Sequence, residues 1–157
     1  MTQLRVACIG AGYFSQFHYG SWSRMDRVTL VGACDQDIEK AGATGLPAYD
    51  TLSAMLEEAK PDLLDIILPP VAHADVIRAA LDAGVKTMVC QKPFCRDLTE
   101  ATEINQAVRA SGARVIVHEN FRFQPWYRAM KRTLADGEIG DLLQVTFRLR
   151  PGDGQGP

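Results

Sequence analysis

The chain has 157 residues, 46% of them hydrophobic and 23% charged, which is ordinary globular composition with room for one full core or for one domain and part of another. A formal net charge of −2 gives no electrostatic case for a nucleic acid or a membrane surface as partner, and no run approaches the ~18 consecutive apolar residues of a membrane-spanning helix. The first residues enter an apolar run directly, with no basic segment leading into a signal region, so a cytoplasmic protein is expected.

Leu4-Arg-Val-Ala-Cys-Ile9 reads as a strand that runs into Gly10-Ala-Gly-Tyr-Phe-Ser15 and then into a helix. A glycine turn between strand and helix builds a phosphate site, because freed N–H groups and the positive end of the helix dipole point at one spot. Gly10 permits the tight turn and Gly12 removes a Cβ where a pyrophosphate would approach. Ser15 holds the third position of G-x-G-x-x-G, where glycine or alanine is usual, and serves close packing imperfectly. Alone, this turn is a weak motif.

Phe14, Phe17, His18 and Trp22 recur at helical spacing over 13–24, which predicts a helix packed on a sheet. Val28–Cys34 is apolar on both faces and predicts a buried parallel strand ending at Asp35. A short helix around 37–43 precedes Leu46–Tyr49, an edge strand because of Pro47. Asp50 reads as the N-cap of a helix presenting Leu52, Met55, Leu56 and Ala59, stopped by Pro61. Leu63–Leu68 is another buried strand, halted by Pro69-Pro70. A helix with Val76, Ile77, Ala80 and Leu81 on its core face then ends at Gly84, and Val85–Cys90 forms the next strand. Asp97 and Glu100 have capping-box spacing at the start of a helix striped by Leu98, Ala101, Ile104 and Val108. Arg114–Val117 closes the series of strands.

Such alternation predicts an α/β fold, a doubly wound parallel sheet of the Rossmann kind, over residues 1–120. Beyond it the pattern changes. A helix after Pro125 leads to Leu142–Leu149, whose second half alternates apolar and polar, so residues 121–157 read as the beginning of a truncated second α/β domain. A low-complexity tail, Pro151–Pro157, follows. Cys8, Cys34, Cys90 and Cys95 form no C-x-x-C pair and read as reduced core thiols; no metal site is predicted.

In a dinucleotide fold an acidic residue after the second strand grips the adenosine ribose, and Asp35 occupies that place. Its carboxylate would repel a 2′-phosphate, which favours NAD over NADP; the bland alternative is a solvated helix N-cap. Pro69 and His73 follow another strand end, where ligands lie in open sheets, and His73 either touches a cofactor or fills the first turn of a helix. Cys90-Gln-Lys-Pro-Phe94 places Lys92 at the same edge, with Pro93 restricting its backbone. A lysine there either stabilises developing negative charge on a reacting oxygen and helps transfer a proton, or is a surface lysine before a turn.

Taken together, the Gly10–Ser15 loop, Asp35, Pro69-Pro-Val-Ala-His73, Ala83-Gly84, Cys90-Gln-Lys-Pro93 and Asn120-Phe-Arg-Phe-Gln-Pro125 resemble the Gfo/Idh/MocA oxidoreductases, a family that includes glucose–fructose oxidoreductase and inositol dehydrogenases. The resemblance covers nearly the whole chain in the right order. It implies NAD as cofactor, a sugar-like or polyol substrate and a homo-oligomeric parent. It assigns cofactor contacts to Gly10, Gly12, Tyr13, Phe14, Asp35, Pro69, His73 and Gln91, and the catalytic role to Lys92. The family pattern at 91–93 is Glu-Lys-Pro, and Gln91 departs from its glutamate. Asn120 and Arg122 are implied contacts to cofactor or substrate, with an ion pair the alternative for Arg122 and a satisfied core residue the alternative for His118.

Family members are longer, and a G-x-H-x-x-D-like segment of their second domain carries the principal acid/base histidine. None of His18, His73 and His118 matches it. The expectation is therefore the NAD-binding portion of an oxidoreductase that moves a hydride between a hydroxyl and nicotinamide. The alternatives are a stand-alone dinucleotide-binding or interaction module, or part of one of the family's NAD-dependent glycosidases.

Overall fold

The structure is a computed structural model that describes residues 3–148. Strands and helices alternate as β1 (Leu4–Ile9), α1 (Ser15–Trp22), β2 (Val28–Cys34), α2 (Ile38–Gly42), β3 (Ala48–Tyr49), α3 (Leu52–Ala59), β4 (Leu63–Ile66), α4 (Pro70–Asp82), β5 (Thr87–Gln91), α5 (Leu98–Ala110) and β6 (Arg114–His118). A 3₁₀ turn, Asn120–Phe123, and α6 (Pro125–Ala135) follow. The strands form one sheet in the order β3-β2-β1-β4-β5-β6, and every pairing is parallel. From β1 the chain builds outward to β3, then returns to add β4, β5 and β6 on β1's other side. The reversal lies between β1 and β4, the place where an open α/β sheet leaves a crevice at its strand ends.

Alternation along β1 sends its side chains to two cores. Ala7 and Ile9 join Met55, Leu64, Ile66, Ile77, Met88 and Ile104, under α3, α4 and α5. Val6 and Cys8 join Leu63 and Ile67, with Tyr19 and Trp22 of α1 packed against them. Both faces of β1 and β4 are thus covered, which explains their continuous apolar runs. Pro47 does precede a two-residue edge strand.

Several local expectations need correction. Thr51, not Asp50, caps α3: its backbone is extended and its hydroxyl accepts from the Ala54 N–H at 3.4 Å. Strand β5 runs through Gln91 rather than stopping at Cys90, which brings Gln91 into the sheet. Leu98 is 82% exposed, because it opens the first turn of α5 and the buried stripe starts further along, at Ile104 and Val108. Asp97 accepts from the Glu100 N–H as a cap should, but Glu100 reaches past Asp97 to the Arg96 N–H and guanidinium. Residues 142–148 carry no strand: among the described residues no neighbour offers them a ladder of backbone hydrogen bonds. Leu149 and the tail at 151–157 lie outside the described residues.

Compact packing divides the described residues between His118 and Glu119, giving a sheet unit over 3–118 and a second unit over 119–148. The second unit consists of the 3₁₀ turn, α6 and an irregular stretch. Among the described residues no helix is long and apolar enough to cross a membrane.

Two predictions follow from the turn and cap geometry. Gly10 has φ +105°, and a Cβ there would lie 2.2 Å from the Ile67 carbonyl oxygen, whereas a Cβ on Gly12 meets nothing within 4 Å. Gly10→Ala is expected to lower unfolding free energy by about 3 kcal/mol through backbone strain and overpacking, and Gly12→Ala by less than about 1 kcal/mol. Urea denaturation of the two variants measures the difference. The Arg96 guanidinium, helped by the Arg96 N–H, holds the Glu100 carboxyl below its ordinary value of 4.5. Its contribution is present above that value and is lost as pH falls through the lower folded one. Glu100→Gln is therefore expected to flatten the acid limb of stability, measured by denaturation as a function of pH.

Candidate functional site

The site grows from the turn between β1 and α1. The Gly10 N–H donates to the Cys34 carbonyl at 2.8 Å, which ties the turn to the end of β2. Ser15, buried at the first turn of α1, closes the loop by donating its hydroxyl to the Gly12 carbonyl at 2.6 Å. The third motif position is therefore filled by a residue that adds a hydrogen bond where glycine would only have saved space.

Asp35 follows β2 and reaches into the same turn. Its Oδ2 accepts from the Ala11 N–H at 2.7 Å, and its Oδ1 accepts from the Asp37 N–H at 3.0 Å. One loop N–H is thus committed to Asp35 rather than pointing outward. The helix-cap alternative falls to the neighbour: Asp37 caps α2, accepting from the Glu39 N–H at 3.2 Å. A carboxylate has about four lone-pair positions, so two such bonds leave Asp35 acceptor capacity for hydroxyl groups.

Two clefts open at the carboxyl ends of the strands. One, of about 570 Å³, is lined by Ile9, Asp35, Thr51, Leu52, Pro69 and Val76 among others. The second, of about 320 Å³, is lined by Gly12, Phe14, Ser15, Ile67, Gln91 and Lys92 together with Leu68 and Pro69. Leu68 and Pro69 border both, so the Pro69 turn is the ridge between an acidic compartment and a basic one. Tyr13 lines neither cleft; it is 69% exposed and stacks edge-on to Phe17, with ring centroids 6.2 Å apart.

His73 does not face a cleft. It is fully buried in α4, with Nε2 2.8 Å from the Leu68 carbonyl and Nδ1 3.1 Å from the carbonyls of Pro93 and Phe94. Its ring staples the Pro69 turn to the segment after Lys92, and both nitrogens are engaged by main chain. It is a support for two cleft walls.

Behind Lys92 lies a set of polar side chains whose connection only the folded chain shows. Asp65, in the middle of β4, is fully buried; its Oδ2 accepts from Trp22 Nε1 at 2.7 Å and lies 2.8 Å from His18 Nδ1. Gln91 Nε2 lies 2.9 Å from His18 Nε2 and 3.2 Å from His118 Nδ1, and Gln91 Oε1 accepts from the Lys92 N–H at 2.9 Å. One signal was available in sequence: a carboxylate inside the apolar run Leu63-Leu-Asp-Ile-Ile67 has to find buried partners. The four cysteines are free and buried, and burial pushes the Cys34 thiol up to about 11 and that of Cys90 up to about 12. They are neutral packing groups.

Asn120 and Arg122 belong to the second unit. Both lie in its 3₁₀ turn, where the Arg122 guanidinium sits 5.5 Å from the centre of the Phe123 ring.

Comparison with known proteins agrees with this geometry. The profile of the GFO_IDH_MocA family, described as "Oxidoreductase family, NAD-binding Rossmann fold", matches residues 4–119. A D-apiose dehydrogenase from Paraburkholderia graminis is 37% identical over 155 residues, covering 94% of this chain and 41% of the relative. Inositol 2-dehydrogenase from Rhizobium meliloti is 30% identical over 151 residues, covering 94% of this chain and 45% of that protein. An oxidoreductase from Agrobacterium radiobacter, crystallised with NAD+, L-tartaric acid and magnesium, superposes with a TM-score of 0.83 at 28% identity, over 89% of this chain and 42% of its own. WlbA dehydrogenase from Bordetella pertussis, crystallised with NADH and UDP-GlcNAcA, gives 0.80 at 26% identity, over 88% and 44%. The chain spans less than half the length of each of these proteins. By its strand order, its glycine turn and the match over 4–119, the chain belongs to the Gfo/Idh/MocA oxidoreductase family and carries that family's NAD-binding Rossmann fold.

Proposed function

We propose that residues 3–118 hold NAD across the Pro69 ridge and that the protein moves a hydride between a sugar-like or polyol hydroxyl and the nicotinamide. The observation that carries this reading is the pair of adjoining clefts at the β1/β4 reversal, one walled by Asp35 and the other by Lys92. A dinucleotide has two unlike halves joined by a pyrophosphate, and this edge of the sheet has two unlike compartments joined by a glycine turn.

The fit can be followed residue by residue. The space over Gly12, open to at least 4 Å, leaves room for a pyrophosphate near the start of α1. Asp35 accepts from ribose hydroxyls in the larger cleft and opposes a 2′-phosphate, so NAD is preferred to NADP. Pro69, Phe14 and Gln91 shape the second cleft, where the nicotinamide supplies hydride-transfer chemistry when bound. Lys92 is solvent-exposed at that cleft, so its ammonium is available to donate to a substrate oxygen and to hold negative charge developing there. Gly10 and His73 act as supports and Tyr13 borders the site. Asn120 and Arg122 are assigned to the substrate, and residues 121–157 to the beginning of a substrate and oligomerisation domain. The similarity to dehydrogenases named for D-apiose and inositol supports the substrate class. Buried, unpaired thiols support a cytoplasmic enzyme, and a homo-oligomeric parent is part of the same proposal.

Calorimetric titration tests the cofactor half of the proposal. NAD is expected to bind at least about tenfold more tightly than NADP, a difference of ~1.4 kcal/mol or more, and Asp35→Asn is expected to narrow it. Gly12→Ala should weaken NAD binding about tenfold while leaving stability nearly unchanged, since its added methyl occupies ligand space rather than protein space. Equal affinity for both cofactors would overturn the role of Asp35. In the enzyme that carries this domain, Lys92→Met is expected to lower polyol-dependent NADH formation by about 100-fold.

A further inference from the structure

Gln91 is oriented by a donor that has no alternative state, the main-chain N–H of Lys92, 2.9 Å from Gln91 Oε1. The amide oxygen therefore faces Lys92, and the NH₂ group faces the two rings. That group carries two hydrogens, and two ring nitrogens lie within reach, His18 Nε2 at 2.9 Å and His118 Nδ1 at 3.2 Å. A nitrogen that receives an N–H must present a lone pair. His18 Nε2 and His118 Nδ1 are both bare, so the proton of each neutral ring sits on its other nitrogen. For His18 that nitrogen is Nδ1, which lies 2.8 Å from Asp65 Oδ2. The same oxygen accepts from Trp22 Nε1–H, whose only polar role is to donate. The chain of donors and acceptors closes without conflict from Trp22 to Lys92.

We propose that Gln91 is a neutral positioning residue, which with Asp65 and His18 behind it sets the main chain of Lys92 at the end of β5 and holds His118 as its Nε2–H tautomer. A carboxylate at position 91 would have no hydrogen to offer either ring. Both facing nitrogens would then need protons: His118 supplies one by changing tautomer, whereas His18, whose Nδ1 already faces Asp65, would have to become an imidazolium between two carboxylates. The amide does the same bridging with no charge at all. The ionisable groups around the chain are Asp65 of β4, His18 and Tyr19 of α1, Cys8 of β1, Cys90 of β5, His118 of β6 and Lys92. Burial raises Cys8, Tyr19 and Cys90 above their ordinary values, so these three stay neutral.

The tautomers are a property of the chain without ligand; only the service to Lys92 rests on the function proposed above. Two-bond ¹⁵N–¹H spectra of the histidine rings, recorded near neutral pH without cofactor, are expected to show His18 protonated at Nδ1 and bare at Nε2, and His118 the reverse. A protonated His18 Nε2 or His118 Nδ1 in the wild-type chain would overturn the assignment. In Gln91→Glu the facing nitrogens of both rings are expected to move to the protonated range at the same pH; rings unchanged by that substitution would also sink the proposal. Gln91→Leu, of similar size but without hydrogen bonds, should speed hydrogen exchange at the Lys92 amide at least tenfold, and an unchanged rate would remove the positioning role. If Gln91→Leu does not fold, the wild-type spectrum still decides the tautomers. Failure of NAD to bind alongside the expected ring signals would count against the cofactor reading alone.

Discussion

The contact between the glycine turn and the end of β4 is the constraint from which the rest of this edge of the molecule follows. Gly10 sits so close to the Ile67 carbonyl that a Cβ would lie 2.2 Å from its oxygen, and its φ of +105° turns the chain away from β1 at once. Only glycine satisfies both demands. With the turn pressed against β4, the following strand end at Leu68 and Pro69 becomes a ridge, and space opens on either side of it. A bulkier residue at position 10 would push the turn outward and change both compartments together.

The same closeness explains why Asp35 has two kinds of work. Its carboxylate accepts a hydrogen bond from the turn at Ala11 and one from the Asp37 N–H. The turn is thus braced by the group assigned to the ribose. Removing that charge therefore alters the shape of the turn as well as its electrostatics, and charge-assisted bonds to main-chain N–H groups are among the stronger ones available. His73 is the counterpart on the other side. It joins the Pro69 turn to the segment after Lys92 through main-chain carbonyls alone. The two cleft walls are held by side chains that do not need a ligand to be in place.

Beneath Lys92 the sheet contains a polar chain where its neighbours are apolar. A fully buried carboxylate is expensive unless hydrogen-bonded, and Asp65 places one oxygen on two donors while its other oxygen has no partner among the described residues. Such a group is a poor choice for stability alone. Its place behind His18 gives it a second function, that of holding the His18 proton on Nδ1 so that Nε2 is left to accept from Gln91. Gln91 fits this arrangement because one amide provides two donors and an acceptor within a single planar group.

Much of this was legible in the sequence. Continuous apolar strands separated by amphipathic helices, with Gly10, Gly12 and Asp35 in register, were enough for a doubly wound parallel sheet, since burial on both faces and backbone conformation are local demands on residue type. The family resemblance rested on short motifs at strand ends and carried the cofactor. Other features were out of reach for a physical reason. Which of Asp50 and Thr51 caps α3 depends on backbone angles, and whether Leu98 is covered depends on where the neighbouring helix lies. The alternation in 142–148 marks a capacity to pair, but a strand exists only where another strand is present to pair with it. The strand-end positions of His73 and Gln91 are visible in sequence, while the hydrogen-bond partners of their side chains are not. Composition, periodicity and motif spacing determined the fold class, the glycine turn and the acidic residue after β2. Tertiary structure alone decided that His18, Asp65, Gln91 and His118, from a helix and three strands spread over a hundred residues of chain, meet behind Lys92, because hydrogen bonding is set by distance in space and not by distance along the chain.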